Sequence, residues 1–170
     1  MRRAVLANSQ CPVARSLGCF GDAWSMLILR DAFYGMTRFD EWERSLGIAP
    51  NVLTVRLKAL VEDGLLERHR YSERPPRDEY RLTEAGRDAQ SVIVALLAWG
   101  NRHLAPEGPS VVVLNSETGE VAEPVMVDGI TGRMLNDPVF RIGAGPAAGQ
   151  RIRDKLTIAA QQLNSVEKRA

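Results

Sequence analysis

The sequence predicts an α+β fold, in which a helix–turn–helix segment is followed by a two-stranded hairpin, a flanking helix and a small β-rich C-terminal appendage. First, apolar residues recur at helical spacing in three successive segments, residues 23–33, 39–46 and 50–63. Second, a short turn of residues 46–49 separates the last two segments. Third, two strand-like segments follow and enclose a charged turn around residues 73–77. Together these observations predict the helix–turn–helix and its hairpin.

The composition is typical of a soluble globular protein, with 170 residues of which 45% are apolar and 25% charged. The formal net charge of +1 excludes a histone-like protein that binds by bulk charge, but it allows local basic patches. The apolar stretch of residues 92–99 is too short to cross a bilayer, and that of residues 4–7 is too short for a signal-peptide core. We therefore expect a cytoplasmic protein, without a membrane partner, whose cysteines stay reduced.

The N-terminal part predicts three helices. A short helix over Cys11–Gly18 has Pro12 in its first turn. Asp22 is the expected N-cap of a second helix, Ala23–Phe33. Thr37 is the expected cap of a third helix, whose first turns carry the acidic residues that the helix dipole favours. The residues of the third helix that we expect to face inward are Phe39, Trp42 and Leu46.

The fourth helix is predicted to begin at Pro50 and to end at Gly64. Its apolar residues follow the i, i+4, i+7, i+8 spacing of a buried stripe and are Leu53, Leu57, Leu60 and Val61. Two strands, Leu65–Tyr71 and Asp78–Leu82, are predicted next and form the hairpin. A long fifth helix then follows from Thr83 to about Leu104.

The composition changes at residues 106–109, a Pro-Glu-Gly-Pro segment that is typical of a linker. Beyond it we predict strands over Val111–Leu114 and Val121–Val127, and a terminal helix from Gln150 to about Leu163. The predicted domains are residues 1–105 for the helix–turn–helix domain, residues 106–150 for the β-rich appendage, and residues 151–170 for a C-terminal helix or tail.

The fourth helix carries polar and small apolar residues opposite its buried stripe: Asn51, Thr54, Val55 and Lys58. Asn can pair with adenine, Lys with guanine or phosphate, and the methyl groups of Thr and Val can contact thymine. The sequence therefore predicts that this helix reads the major groove of double-stranded DNA. Arg56 flanks this face, where a phosphate contact and an intramolecular salt bridge are both open alternatives, and we assign it to the residues that bind DNA phosphate.

Basic residues near this helix indicate contacts with the DNA backbone. Arg38 lies at the N-terminus of the third helix, where exposed backbone amides also favour a phosphate. The hairpin segment from Arg68 to Arg77 carries four arginines, Arg68, Arg70, Arg74 and Arg77. Only Glu73 opposes them within the loop, although Asp78 is a predicted salt-bridge partner. A solvated surface is the alternative for any single arginine, but for the set we predict DNA contacts, with Arg74 and Arg77 as the assigned residues.

A set of short motifs runs in order between residues 11 and 104: Cys11-Pro12-Val13, Gly21-Asp22-Ala23-Trp24, Leu27-Ile28-Leu29-Arg30, Arg38-Phe39, Arg56-Leu57-Lys58-Ala59-Leu60, Gly64-Leu65, Pro75-Pro76-Arg77, Glu79-Tyr80, Leu82-Thr83 and Trp99-Gly100. This set resembles the HxlR-type family of bacterial winged helix-turn-helix transcription regulators, within the MarR-like superfamily. The resemblance implies a homodimer built from the first and last helices of this region and bound to a pseudo-palindromic operator. It implies a DNA-binding regulator, which we expect to be a repressor.

The chain departs from the common family pattern at the start of the fourth helix. Many members have Ser before the Pro and Arg after it, where this chain has Ala49 and Asn51, and Val55 stands where Glu is frequent. Loss of the Ser cap is expected to cost the helix about 1 kcal/mol. The same departures predict an operator sequence that differs from those of other members.

Cys11 is the candidate redox-sensing residue, because it lies at the first turn of its helix, where the helix dipole favours a thiolate. The resemblance implies that a Cys at this position senses oxidants or electrophiles in several members, sometimes by pairing across the dimer. The alternative is that Cys11 is a small capping and packing residue. Cys19 is expected in the core, and a helix separates it from Cys11 by about 12 Å, too far for a disulfide within one chain.

The C-terminal appendage resembles a small zinc ribbon with two knuckle turns, but non-cysteine residues stand at the ligand positions: Thr118, Asp128 and Thr131. Thr is a poor zinc ligand, and the segment contains no Cys or His. We therefore expect a metal-free remnant, whose turns are held by glycines and side-chain hydrogen bonds.

No catalytic residue set, phosphate-binding glycine loop or cofactor motif is present, so we expect no enzymatic activity and no cofactor. Two alternative functions stay open. One is a ligand-gated regulator that binds a small-molecule effector at a dimer interface around Trp24, Phe39, Trp99 and the appendage. The other is a winged-helix protein-interaction module that has lost DNA binding.

Overall fold

The computed structural model describes residues 3–167. Within them the chain forms two compact units: residues 19–125, and residues 3–18 together with 126–167. This grouping differs from the predicted boundaries after residues 105 and 150, which stay predictions about domains. No helix among the described residues is long and apolar enough to cross a membrane.

The helices are α1 (Arg3–Ala7), α2 (Pro12–Phe20), α3 (Ala23–Phe33), α4 (Phe39–Leu46), α5 (Pro50–Glu62), α6 (Glu84–Asp88), α7 (Gln90–His103) and α8 (Gln150–Glu167). The strands are β1 (Leu66–Glu73), β2 (Pro76–Leu82), β3 (Val113–Leu114) and β4 (Val121–Ala122). The β1–β2 hairpin is called the wing below. Helices α4 and α5 together with the wing form a winged helix-turn-helix, which confirms the predicted α+β fold.

Local capping explains where α3 and α4 begin. The carboxylate of Asp22 accepts hydrogen bonds from the backbone N (3.0 Å) and Oγ (2.9 Å) of Ser25, which confirms Asp22 as the N-cap of α3. The prediction that Thr37 caps α4 is wrong, because the N-cap is Arg38. The carboxylate of Glu41 instead accepts hydrogen bonds from the backbone N atoms of Thr37 and Arg38, at 2.8 and 2.9 Å.

The core of the unit at residues 19–125 lies between α3, α4, α5 and the base of the wing. Its fully buried apolar side chains are Ile28, Leu29, Trp42, Leu53, Leu57, Leu60 and Leu66. Trp42 Nε1 donates a hydrogen bond to the carbonyl of Ile28, so its polar atom is satisfied. The predicted stripe of α5 is therefore confirmed for its three leucines, whereas Val61 is only half-buried.

The wing is antiparallel, and its base is joined to the start of α4. Leu66 pairs with Leu82 and Arg70 with Asp78 in the register of β1 and β2. An isolated bridge links Arg38 to Glu79 on β2, and the backbone N of Tyr80 donates to the carbonyl of Thr37 at 2.7 Å. The N-terminus of α4 is thereby fixed to the wing.

The predicted fifth helix is two helices, because the chain turns at Ala89 between α6 and α7. Ala89 and Gly86 are buried, and the buried corner between α6 and α7 interrupts the helix that was predicted to be continuous. Thr83 caps α6 by accepting a hydrogen bond from the backbone N of Gly86 at 3.0 Å. The predicted appendage strands are too long, since β3 and β4 contain two residues each.

The unit at residues 3–18 and 126–167 contains elements that the sequence pattern placed less well. Helix α1 was not predicted, because its residues read as a short apolar run. Helix α2 extends two residues beyond the predicted end at Gly18, to Phe20 in the other unit. Helix α8 confirms the predicted start at Gln150 and continues past Leu163 to Glu167.

Candidate nucleic-acid interface

One face of α5 is exposed along its length, opposite the buried leucines. It carries the four side chains predicted to read DNA: Asn51, Thr54, Val55 and Lys58. All four are exposed, with 60% for Val55 and 76% for the side chain of Lys58. Their i, i+3, i+4, i+7 spacing places them on one side of the helix. We call these four residues the reading face.

Hydrogen bonds within α5 hold parts of the reading face in defined positions. The Oγ1 of Thr54 donates to the carbonyl of Pro50 at 2.8 Å, which leaves its methyl group and oxygen lone pairs for a partner. The Oδ1 of Asn51 accepts from the backbone N of Val52 at 2.9 Å, so the side-chain NH₂ keeps both of its donors. The Nζ of Lys58 lies 3.8 Å from Glu62, a weak exposed pair.

Arg56 lies in a tertiary ion pair instead of on the reading face. Its Nε is 3.2 Å from Oδ1 of Asp22, the N-cap of α3, in an ion pair without hydrogen-bond geometry. Of the two alternatives at this position, the structure contains the salt bridge. A phosphate contact by Arg56 stays a prediction.

Arg38 is presented beside the wing. Its guanidinium carbon lies 4.9 Å from the ring centroid of Tyr71 on β1, within the range of a cation–π contact. The backbone amides of Thr37 and Arg38 donate to Glu41, so these two amides are not free for a phosphate. These two amides therefore do not take part in the predicted phosphate site at the start of α4, and the Arg38 guanidinium is left to bind the phosphate.

The wing divides its arginines into two groups. Arg68 and Arg70 bind the carboxylate of Asp78, at 2.6 and 2.7 Å, which confirms the predicted role of Asp78 as a salt-bridge partner. The hydrogen bond from Arg70 lowers the pKa of Asp78 below its ordinary value. Arg74 and Arg77 flank the tip and form no ion pair within the described part of the chain. The tip therefore carries the wing's unpaired positive charge.

The two cysteines lie in different environments. Cys11 is exposed just before α2, and its backbone N donates to Oγ of Ser9 at 3.1 Å. Cys19 is partly buried and packs against the core cluster, as predicted. Among residues 3–167, no group of three or more His, Cys, Asp or Glu side chains is arranged to hold a metal ion.

The two predicted knuckle turns have the same hydrogen-bond pattern, each within its own unit. In the first, Oδ1 of Asn115 accepts from the backbone N of Glu117, and the N of Gly119 donates to the carbonyl of Asn115. In the second, Oδ2 of Asp128 accepts from N and Oγ1 of Thr131 at 2.9 and 2.6 Å. Side-chain hydrogen bonds therefore hold both turns, as predicted.

A cleft of about 310 Å³ lies between α7 and the β3–β4 hairpin, inside the unit at residues 19–125. Apolar side chains form most of its wall, and Asn101, Arg102 and Glu123 are its polar lining residues. This cleft was not predicted, because the sequence pattern did not show that the β3–β4 segment lies against α7.

Comparisons with known proteins agree with this geometry. The model of the HxlR-like helix-turn-helix family matches residues 19–108. An uncharacterised HTH-type transcriptional regulator of Mycobacterium tuberculosis is 47% identical over 116 residues, 68% of this chain and 73% of that protein. The structure of a candidate transcription factor from Pseudomonas aeruginosa is 49% identical, with a TM-score of 0.63 over 86% of this chain and 100% of its own.

The redox regulator HypR in its oxidised form is also similar, at 33% identity and a TM-score of 0.51 over 55% of this chain and 97% of its own. The family match covers the winged helix-turn-helix and α7 together. The chain belongs to the HxlR-like helix-turn-helix family of transcriptional regulators.

Proposed function

We propose that this regulator binds double-stranded operator DNA through the reading face of α5 in the major groove. The observation that carries the proposal is the exposure of four base-compatible side chains on one side of α5, directly opposite its buried leucines. The major groove is wide enough for an α-helix, and the hydrogen-bond donors and methyl groups of the reading face match base edges there. Family membership supports the same conclusion and favours a DNA-binding regulator over a protein-interaction module or an enzyme.

Three guanidiniums supply the phosphate contacts in this proposal: Arg38, Arg74 and Arg77. None of these three arginines forms an ion pair within the described residues, so no such ion pair has to break when they bind DNA. Phosphate contacts position a regulator on DNA, whereas base contacts set its sequence preference. We therefore assign affinity and orientation to these arginines and sequence preference to the reading face.

The test separates these two roles by measuring binding to operator and random DNA over a range of salt concentrations. Asn51→Ala and Lys58→Ala are expected to weaken operator binding by about 5- to 100-fold, because a base contact contributes about 1–3 kcal/mol. Binding of random DNA changes much less. Arg74→Ala weakens both DNAs alike and lowers the salt slope by about one phosphate contact. Equal losses on both DNAs for the α5 variants contradict direct reading.

We infer that the active form is a homodimer on a pseudo-palindromic operator, and that it represses transcription by occupying that site. Helix α7 supports this, because Val92, Leu96 and Trp99 are 40–54% exposed at i, i+4, i+7 spacing. A second copy of the chain would cover this stripe. Sedimentation of the wild type and of Leu96→Glu tests the inference. We expect a dimer and a monomer respectively, and a monomeric wild type at micromolar concentration contradicts it.

Redox sensing by Cys11 is a second proposal, supported by the exposure of its thiol and by similarity to a redox regulator. Oxidation of Cys11 by a peroxide, or its covalent modification by an electrophile, is expected to release operator DNA from the wild type. Neither treatment is expected to release DNA from Cys11→Ser. An oxidant response that survives in Cys11→Ser rules out this residue as the sensor. Such a regulator acts in the cytoplasm, beside the chromosome.

A small-molecule effector is the remaining part of the proposal, and the cleft between α7 and the β3–β4 hairpin is where we place it. This cleft adjoins α7, the proposed dimerisation helix, so an occupant there can alter the dimer. Thermal melting in the presence of candidate metabolites tests it, with Ala98→Trp as a variant that fills the cleft. A stabilising compound whose effect is unchanged in Ala98→Trp binds elsewhere.

A further inference from the structure

A single carboxylate, that of Asp78, holds two of the five wing arginines. Asp78 lies directly across from Arg70 in the register of the hairpin, and Arg68 is two residues earlier on the same strand. Strand residues two apart point to the same face, so both guanidiniums reach Asp78 from one side. Arg70 Nε lies 2.7 Å from one carboxylate oxygen and Arg68 Nη2 lies 2.6 Å from the other.

This arrangement is more than a loose surface pair. The side chain of Asp78 is only 19% exposed, and each of its oxygens has its own guanidinium donor. Charge-assisted hydrogen bonds of this length are about twice as strong as neutral ones. A phosphate that approaches Arg68 or Arg70 must therefore displace a well-placed carboxylate, whereas one that approaches the unpaired arginines of the tip displaces no such partner.

We propose that Asp78 limits how tightly the protein binds the DNA backbone, because its carboxylate withholds Arg68 and Arg70 from DNA phosphates. The proposal rests on DNA binding by the wing as described above. Phosphate contacts supply nearly all of the binding to non-specific DNA. A regulator must find its operator among a large excess of other sites, so a limit on sequence-independent wing contacts keeps the protein from being held tightly on random DNA.

The first test is Asp78→Asn, which keeps the shape of the side chain and removes its charge. Each additional phosphate that the protein neutralises steepens the slope of log Kobs against log salt by about 0.9. We expect a slope steeper by about 1–2 on random DNA. At 0.1 M salt this corresponds to roughly eightfold tighter binding for each additional phosphate. Binding to the operator is expected to tighten by a similar factor, because arginines released onto the DNA backbone read no sequence.

Glu73→Gln is the matched control, because it removes the same charge from the same hairpin. Glu73 is 81% exposed and lies 3.7 Å from Arg70, so it does not hold a guanidinium in place. We expect little change in the salt slope for this variant. A rise equal to that of Asp78→Asn shows that net charge, and not the pairing of arginines, controls affinity, and it overturns the proposal.

A double-mutant cycle keeps the proposal testable even if Asp78→Asn loosens the wing. Replacing both Arg68 and Arg70 by Gln is expected to leave the salt slope on random DNA unchanged while Asp78 is present. The same replacement lowers the slope by about 1.8 in the Asp78→Asn background. A fall of that size with Asp78 present overturns the inference. If the wild type binds no DNA at any salt concentration, the proposed function itself fails.

Discussion

Gly86 is the position at which a single methyl group should disturb the link between the helices and the wing. It lies in the first turn of α6 and is buried. A Cβ built at this position overlaps the carbonyl oxygen of Leu65, lies 3.0 Å from the carbonyl carbon of the same residue and 3.1 Å from Cδ2 of Leu82. Non-bonded carbon atoms prefer about 3.5–4.0 Å. Gly86→Ala therefore forces α6 away from the residue that precedes β1.

Two opposing effects determine the size of this change. Alanine in place of a helical glycine favours folding by up to about 1 kcal/mol. Against this, overpacking a core position costs about 1–3 kcal/mol. The carbonyl of Leu65 also accepts a hydrogen bond from the backbone N of Thr83 at 3.2 Å, and displacement of this carbonyl costs about 0.5–1.5 kcal/mol. The net expectation is a loss of about 1–4 kcal/mol.

Urea denaturation followed by circular dichroism measures this loss, and a melting curve should shift down by several degrees. Gly100→Ala is the control, because it lies inside α7 and a Cβ there meets no atom within 4 Å. That variant is expected to be as stable as the wild type or slightly more stable. A Gly86→Ala protein with an unchanged or higher free energy of unfolding refutes the steric argument.

Two further predictions concern carboxylates away from the reading face. Ser45→Ala removes the hydroxyl that donates to Asp31 at 2.7 Å, and the Asp31 side chain is 1% exposed, with Arg30 as its remaining partner among the described side chains. The free energy of unfolding, measured by urea denaturation, should therefore fall by about 1.5–3 kcal/mol. A fall of less than about 0.5 kcal/mol contradicts this prediction. Hydrogen bonds from the side chain and backbone of Thr131 lower the pKa of Asp128 below its ordinary 3.8. The ionised carboxylate therefore stabilises the turn above pH 3.8, and this stabilisation is lost as the pH falls through the lowered pKa of Asp128. The amide resonance of Thr131 should titrate with a midpoint under 3.8, and a midpoint at or above 3.8 contradicts the assignment.

Local signals in the sequence were sufficient for the helix–turn–helix. Asp22 caps α3 and Pro50 opens α5, and both act within a few residues of the positions they control. The leucine spacing of α5 also determines which side is exposed, so the reading face could be predicted from periodicity alone. The predicted Thr37 cap failed because the helix begins one residue later, at Phe39 with Arg38 as its N-cap, and Glu41 in the first turn reaches back to the backbone amides of Thr37 and Arg38.

Features that depend on distant residues could not be predicted in this way. The turn at Ala89 has no glycine or proline to mark it, and it exists because the corner is buried against the base of the wing. Arg56 is paired with Asp22, a residue in another helix, so its sequence neighbours carry no sign of that contact. The stacking of Arg38 on Tyr71 likewise requires the folded wing.

These pairings explain how a chain with 22 basic and 21 acidic residues can present a positive surface to DNA. Asp22 pairs with Arg56, and Asp78 pairs with two wing arginines, whereas Arg74 and Arg77 at the tip of the wing have no such partner in the described residues. Bulk charge would attract any polyanion equally, but selective pairing concentrates positive charge at a few positions. The acidic residues therefore act in recognition as well as in folding, because they determine which cations are available to the phosphate backbone. Removal of an acidic partner should then change binding to random DNA before it changes the sequence that α5 prefers.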